Sequence, residues 1–88
     1  MRNEIIEYLD GGRESWVNGQ LHHEDGPAYE RNDGPRAWFQ NDQLHRLDGP
    51  AYEGADGHRE WWINGVEYTE EEYNIEMRLR KWGLKVDA

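Results

Sequence analysis

The chain repeats itself every 23 residues, and that period limits the architectures open to it more than any other feature. Asp10-Gly11 recurs as Asp33-Gly34 and Asp56-Gly57, Arg13 as Arg36 and Arg59, and Asn18 as Asn41 and Asn64. Trp16 falls on Phe39 and Trp62, and Leu21-His22 on Leu44-His45. The block Asp25-Gly26-Pro27-Ala28-Tyr29-Glu30 returns letter for letter as Asp48-Gly49-Pro50-Ala51-Tyr52-Glu53, and Ile6-Glu7 fits the same Tyr-Glu column. The repeats cover about residues 5–68.

The punctuation inside each repeat is that of β-hairpins. Asn18-Gly19 and Asn64-Gly65 supply the positive-φ positions that tight two-residue turns require, and Asn41-Asp42 is a weaker version. A short strand such as 59–63 precedes each turn, and a second, 20–23 or 43–46, follows it. The Asp-Gly-Pro step then bends the chain, because proline removes a ladder donor and fixes φ. A strand through Ala-Tyr-Glu leads to the next Asp-Gly turn. Side-chain alternation places Trp16, Phe39 and Trp62 on one face, as a buried aromatic ladder, and Ser15, Trp38 and Trp61 on the other.

The tail changes period. Thr69-Glu70-Glu71-Glu72 matches a capping box, with acids in the first turn and Arg78, Arg80 and Lys81 in the last, an order that complements the helix dipole. Gly83 is placed to end the helix. The expected fold is therefore mainly β with one C-terminal α-helix: a single-layer antiparallel meander of about three hairpin repeats, capped by the helix. Residues 1–88 read as one domain, with the repeats over about 5–68 and the helix over about 69–83.

Composition narrows the function. The formal net charge is −9, and residues 1–69 hold 14 of the 19 acids against 6 of the 10 bases. Affinity for nucleic-acid phosphates comes from clustered Lys and Arg, so direct nucleic-acid binding is disfavoured, whereas proteins that bind nucleic acid are attracted. With 0 Cys, disulfides, thiolate zinc sites and cysteine nucleophiles are excluded. No apolar run approaches a membrane span and no signal peptide is legible at Met1, so a cytoplasmic location is the expectation. Five Trp, five Tyr and one Phe compensate for a poor aliphatic content and argue for a folded chain over a disordered one.

The segment Trp16-Val17-Asn18-Gly19-Gln20-Leu21-His22 resembles the centre of a MORN repeat, a β-hairpin unit of about the same period with a Trp, an Asn-Gly turn and a His four residues beyond the Asn. The glycine that usually follows that His is His23 in the first copy and Arg46 in the second. The Asp-Gly-Pro-Ala-Tyr-Glu ending resembles instead a variant repeat common in bacteriophage and large-virus proteins, with Leu-His-x-x-Asp-Gly-Pro-Ala as its core. The third copy, Trp61-Trp62-Ile63-Asn64-Gly65-Val66-Glu67-Tyr68 followed by a Glu-rich helix, looks like the ending of such proteins. The resemblance covers about three-quarters of the chain and speaks to architecture more than to activity.

No catalytic constellation is visible. A metal site needs three or four converging ligands, whereas equivalent repeat positions are spaced along a sheet. His22 and His45 are expected to pack beside the Asp-Gly-Pro bend and hydrogen-bond it, and Asp25 and Asp48 to bond their own backbone two residues on. There is no Gly-rich phosphate loop, Gly-x-Ser-x-Gly elbow or His-Glu-x-x-His, and a single-layer meander promises no deep pocket. The expectation is a non-enzymatic protein without metal or cofactor.

Two surfaces are candidates for binding. The Tyr-Glu columns and the turns bring Glu30, Asp33, Asp42, Glu53 and Asp56 round at regular intervals, as a negative ladder imitating nucleic-acid phosphates or merely as a solvated edge. Trp38 and Trp61 become contact residues if the helix leaves their face open. With the viral resemblance, this reads as an inhibitor of a host defence effector, anti-CRISPR-like, covering a basic surface on a host protein such as a CRISPR effector, as monomer or homodimer. The alternatives are an assembly module that self-associates through sheet edges, and a small-molecule sponge whose Trp and Tyr stack on a base.

Overall fold

A computed structural model describes residues 3–83. Ten short strands precede one helix: β1 (Asn3–Glu7), β2 (Arg13–Val17), β3 (Gln20–Leu21), β4 (Tyr29–Glu30), β5 (Arg36–Ala37), β6 (Phe39–Gln40), β7 (Gln43–Leu44), β8 (Tyr52–Glu53), β9 (Arg59–Ile63), β10 (Val66–Tyr68) and α1 (Glu70–Lys81). The main sheet runs β1-β2-β4-β5-β8-β9-β10, with β3 beside β2 and β6-β7 as a separate hairpin, all antiparallel. The described chain is a slab of 43 × 35 × 17 Å, one sheet with loops and a helix laid on it. The expected mainly-β meander with a helical cap is the fold observed.

The turns follow the sequence closely. Asn18 and Gly19 have φ of 50° and 79°, Asn64 and Gly65 of 49° and 78°, as a type I′ hairpin turn demands. Asn41-Asp42 makes the same turn with φ of 53° and 65°. Asp42 therefore sits in the left-handed region without being glycine, a conformation that Asn and Asp tolerate better than other side chains.

The second strand of each hairpin is interrupted. β3 pairs with the far half of β2 (Trp16↔Leu21, Val17↔Gln20), and β4 with the near half (Arg13↔Glu30, Glu14↔Tyr29). His22 N bonds Ser15 O at 3.0 Å and Ser15 N bonds Ala28 O at 2.7 Å, so the intervening residues 23–27 leave the ladder as a loop and return to the same strand. The second repeat copies this: His45 N bonds Trp38 O at 3.0 Å, Trp38 N bonds Ala51 O at 2.8 Å, and residues 46–50 bulge. Asp-Gly-Pro is thus the tip of a bulge rather than a bend between strands. Pro27 and Pro50 sit where no ladder donor is needed.

The fully buried apolar residues are few and mostly small: Ala28, Ala37, Ala51, Ile63 and Tyr73. The aromatic columns are half-buried instead. The helix begins at the expected capping box. The Thr69 hydroxyl accepts from Glu72 N at 3.1 Å, and the Glu72 carboxylate accepts from Thr69 N at 2.9 Å. It packs on β9 and β10, and its buried Tyr73 ties down the second bulge. The Tyr73 hydroxyl donates to Arg46 O at 2.7 Å and accepts from Gly49 N at 3.2 Å. Burial raises the Tyr73 hydroxyl above the ordinary phenol range. Arg46 in turn lies over the Trp38 ring, 3.8 Å from its centroid. The helix therefore sits on the face that carries Trp38, Trp61 and Ile63.

Candidate functional site

Strand register sorts every charged strand residue onto one face or the other. On the helix-bearing face, called the loop face, Glu7↔Arg13, Arg13↔Glu30, Glu30↔Arg36, Arg36↔Glu53 and Glu53↔Arg59 stand directly opposite one another across five strand pairs. This is a ladder of alternating sign. Arg13 Nη2 reaches Glu30 Oε1 at 3.3 Å, Arg36 Nη2 reaches Glu53 Oε1 at 3.7 Å, and Arg46 Nη1 reaches Glu53 Oε2 at 3.6 Å. Opposite charges on directly facing residues stabilise a sheet pair where like charges would split it.

The uniform negative ladder expected from Glu30 and Glu53 is therefore not what the fold builds: each of these carboxylates is interleaved with arginine. The other acids of that set are also engaged. Asp33 pairs with Arg31 at 3.3 Å. The Asp42 carboxylate accepts from Leu21 N of the preceding repeat at 2.7 Å, and that of Asp56 accepts from His58 N at 3.0 Å. Trp38 lies under Arg46 and half-buried Trp61 is on the helix-bearing face, so neither ring is part of an uncovered aromatic surface.

The opposite, flat face is different in kind. Glu4↔Trp16, Trp16↔Leu21, Phe39↔Leu44 and Trp62↔Glu67 give one row across the strands. Ile6↔Glu14, Glu14↔Tyr29, Tyr29↔Ala37, Ala37↔Tyr52 and Tyr52↔Glu60 give the next. The charged residues that the described strands place on this face are Glu4, Glu14, Glu60 and Glu67, none of them Lys or Arg. These acids flank an aromatic strip of Trp16, Tyr29, Phe39, Tyr52 and Trp62. No described helix lies over it.

Two of those acids are oriented by the aromatics. Trp16 Nε1 donates to Glu14 Oε1 at 3.0 Å, and Trp62 Nε1 donates to Glu60 Oε1 at 2.9 Å, each within one strand and two residues apart. Where the second repeat has Phe39, without an N–H, the partner column holds Ala37. The Glu60 carboxylate also meets His58 Nε2 at 2.9 Å, and the hydrogen bonds from His58 and Trp62 hold it below the usual carboxylate range. Sequence alternation hides this face, because it leads to the expectation of a buried Trp16 column. The Glu-x-Trp, Ala-x-Phe, Glu-x-Trp pattern was the available signal.

The histidines join repeats. His22 Nδ1 accepts from Asn41 N at 3.1 Å, and His45 Nδ1 from Asn64 N at 2.9 Å. The turn they bond is the Asn turn of the next repeat, not the Asp-Gly-Pro bend expected. Likewise, the bond of an Asp to its own backbone two residues on is made by Asp10 to Gly12 N and by Asp56 to His58 N, while Asp48 pairs with Arg46 at 2.8 Å and the Asp25 backbone N–H goes to the His23 ring. An accepting Nδ1 requires the neutral ring with its proton on Nε2. Burial first, and the nearby Arg80 second, keep His45 below the ordinary imidazole range.

Between the two bulges runs an open groove of about 620 Å³, lined by Trp38, Gln40, His45, Asp25, Arg46 and Asp48 among others. It opens on the loop face. Among the described residues no group of three or more His, Asp or Glu is placed to hold a metal ion, and no described helix is long and apolar enough to cross a membrane. Comparison of the chain with protein-family models, with curated proteins and with solved structures finds no match in any of the three.

Proposed function

We propose that this chain is a non-enzymatic acidic binding module whose flat face seats on a basic, nucleic-acid-binding surface of a partner protein. The observation that carries this reading is the segregation of charge. The loop face sets each strand Glu opposite Arg, whereas the charged residues that the described strands place on the flat face, Glu4, Glu14, Glu60 and Glu67, are all acids. Half-buried Trp and Tyr lie between these acids. Partner guanidinium and ammonium groups would meet carboxylates at the rim and aromatic faces in the middle, an arrangement that combines steering by charge with cation–π contact. The likeness of the repeat to the bacteriophage and large-virus type directs this toward an inhibitor of a host defence effector, with a CRISPR effector as the concrete case, acting in the host cytoplasm.

The test is capture from host lysate at low and high salt, with and without competing duplex DNA. The expected result is recovery of nucleic-acid-binding proteins that salt and DNA both displace. The variant Glu4→Gln, Glu14→Gln, Glu60→Gln, Glu67→Gln should lose them while keeping an amide oxygen for the Trp16 and Trp62 N–H groups. Capture that survives high salt and this variant would reject the reading. One observation favours a second reading, self-association: β1 is an edge strand exposed along all five residues. Sedimentation as a monomer at micromolar concentration would remove it.

A further inference from the structure

The first repeat lacks the ring that its successors carry at one position: Ser15 stands where they have Trp38 and Trp61. In the second repeat that ring lies in front of the bulge, beneath Arg46. Arg46 covers Trp38 at 3.8 Å and is itself held by Asp48 at 2.8 Å and by the Pro50 carbonyl at 3.0 Å. In the first repeat the same frame encloses an open cleft of about 290 Å³, lined by Ile5, Arg13, Ser15, His23, Pro27 and Ala28.

Each wall is the 23-residue counterpart of a group in the second repeat: Arg13 of Arg36, His23 of Arg46, Pro27 of Pro50, Ala28 of Ala51. The cleft is formed and held without its plug. His23 Nδ1 accepts from Asp25 N at 3.1 Å, which orients the imidazole as the lid that Arg46 is in the next copy. The Arg13–Glu30 pair at 3.3 Å stands at the rim. Ile5, 65% exposed, is an apolar wall.

We infer that this cleft is a binding site for a single aromatic side chain, an indole or phenol ring, presented by an extended segment of a partner protein and seated where Trp38 sits one repeat later. The ring chemistry follows from the occupied copy of the same frame. The size agrees: pockets for drug-sized ligands run from about 300 to 1,000 Å³, and this one lies just below that range, enough for one ring system. The partner is a polypeptide because the cleft opens beside β1, the outermost of the described strands on that side, along which an extended segment can lie as a further strand while its ring enters the cleft. Buried Trp and Tyr anchors of this kind dominate interface energies. The site is on the loop face and stands or falls independently of the flat-face reading.

The experiment is an NMR titration of the ¹⁵N-labelled protein with N-acetyl-tryptophanamide, a Trp side chain in a peptide framework, with free indole as the second arm. Saturable shifts are expected at the amides of Ile5, Ser15, His23 and Ala28, with nuclear Overhauser contacts from the ligand ring to the Ile5 and Ala28 methyls. Ser15→Trp fills the cleft from within and should abolish those shifts. Should that variant not give a folded spectrum, the contacts in the native protein decide alone. Absence of saturable shifts, shifts that survive in a folded Ser15→Trp, or shifts confined to Trp16, Phe39 and Trp62 would overturn the assignment. So would binding of free indole with exclusion of the capped amide, since that marks a site for a free small molecule.

Discussion

The two faces of this sheet are built from the same three repeats and carry aromatic columns one residue apart, yet the fold treats them differently. The loop face has the bulges, the helix, all the strand arginines, and indoles or alanines beneath them. On the flat face the described residues place no helix and no strand Lys or Arg, and Trp16, Phe39 and Trp62 stay half-buried. A one-layer sheet of this size has a single helix to spend on cover, and the hinge of that choice is Tyr73. The comparison teaches that regular sequence columns need not make regular surfaces: the strand register between repeats decides whether like columns line up or alternate.

The largest effect should come from removing that cover. Tyr73→Ala deletes the buried ring and both bonds to the second bulge, at Arg46 O and Gly49 N. The expected loss is about 3–5 kcal/mol, the range for large aromatic-to-alanine changes in a core, enough to unfold a marginal small domain. Tyr73→Phe keeps the ring and leaves the bulge bonds unmade, at a cost of about 1–3 kcal/mol. Urea denaturation followed by tryptophan fluorescence measures both. Equal stability for Tyr73→Ala and the parent would mean that the loop face is not held by the helix, and the contrast between the faces would lapse.

His45 sharpens the same contrast through pH, because its ring joins repeats on the loop face. Its folded value is lowered, so the neutral form is the one the fold prefers. Its contribution is present in full above about pH 6.5, the unfolded imidazole value, and is lost as pH falls through the lower folded value. Protonation removes the acceptor for Asn64 N, a bond worth on the order of 1 kcal/mol. His45→Asn offers an amide oxygen that does not titrate, and its denaturation midpoint should fall less steeply between pH 7 and 5 than the parent's. Parallel pH profiles would show that the ring does not act as this acceptor.

The turns and the helix cap were legible in the sequence, and the reason is local. Asn18-Gly19 and Asn64-Gly65 demand a turn type from their own dihedrals, and Thr69 with Glu72 caps a helix within one turn. The alternation of Arg13, Glu30, Arg36, Glu53 and Arg59 was not legible, because it rests on pairing between strands rather than on the 23-residue offset. Sliding the chain on itself stacks Glu30 on Glu53; the sheet puts Arg36 between them. The destination of the His22 and His45 rings, 19 residues onward, was hidden for the same reason.

On the flat face, the Glu14–Trp16 pair can be exchanged for the one the second repeat already uses. Glu14→Ala alone leaves a half-buried indole N–H without its carboxylate, and Trp16→Phe alone removes the indole donor from the carboxylate. The double variant reproduces Ala37 and Phe39. A double-mutant cycle on unfolding free energy should give a coupling of about 0.5–1.5 kcal/mol, the net worth of one hydrogen bond. Zero coupling would mean that the indole bond does not orient Glu14, and one support for a built acidic rim would go.

The smallest effect is expected where the charges are most numerous. Arg13 and Glu30 are 56% and 30% exposed at their side chains and 3.3 Å apart, an ion pair that water and salt both screen. Arg13→Gln with Glu30→Gln should therefore change stability by only about 0.2–1 kcal/mol, and less at high salt. The pair matters more as a specification of register: a slip of β4 by two residues would keep each side chain on its face but would no longer set Glu30 opposite both Arg13 and Arg36. The charge-reversed variant Arg13→Glu tests this directly, since Glu would then face both Glu7 and Glu30. Amide exchange should speed up in β1 and β4 while β9 is unchanged. If β1 and β4 stay as protected as before, the alternating ladder is a passive consequence of the fold, and the balance of charge on the loop face would no longer be evidence that the imbalance on the flat face is there for binding.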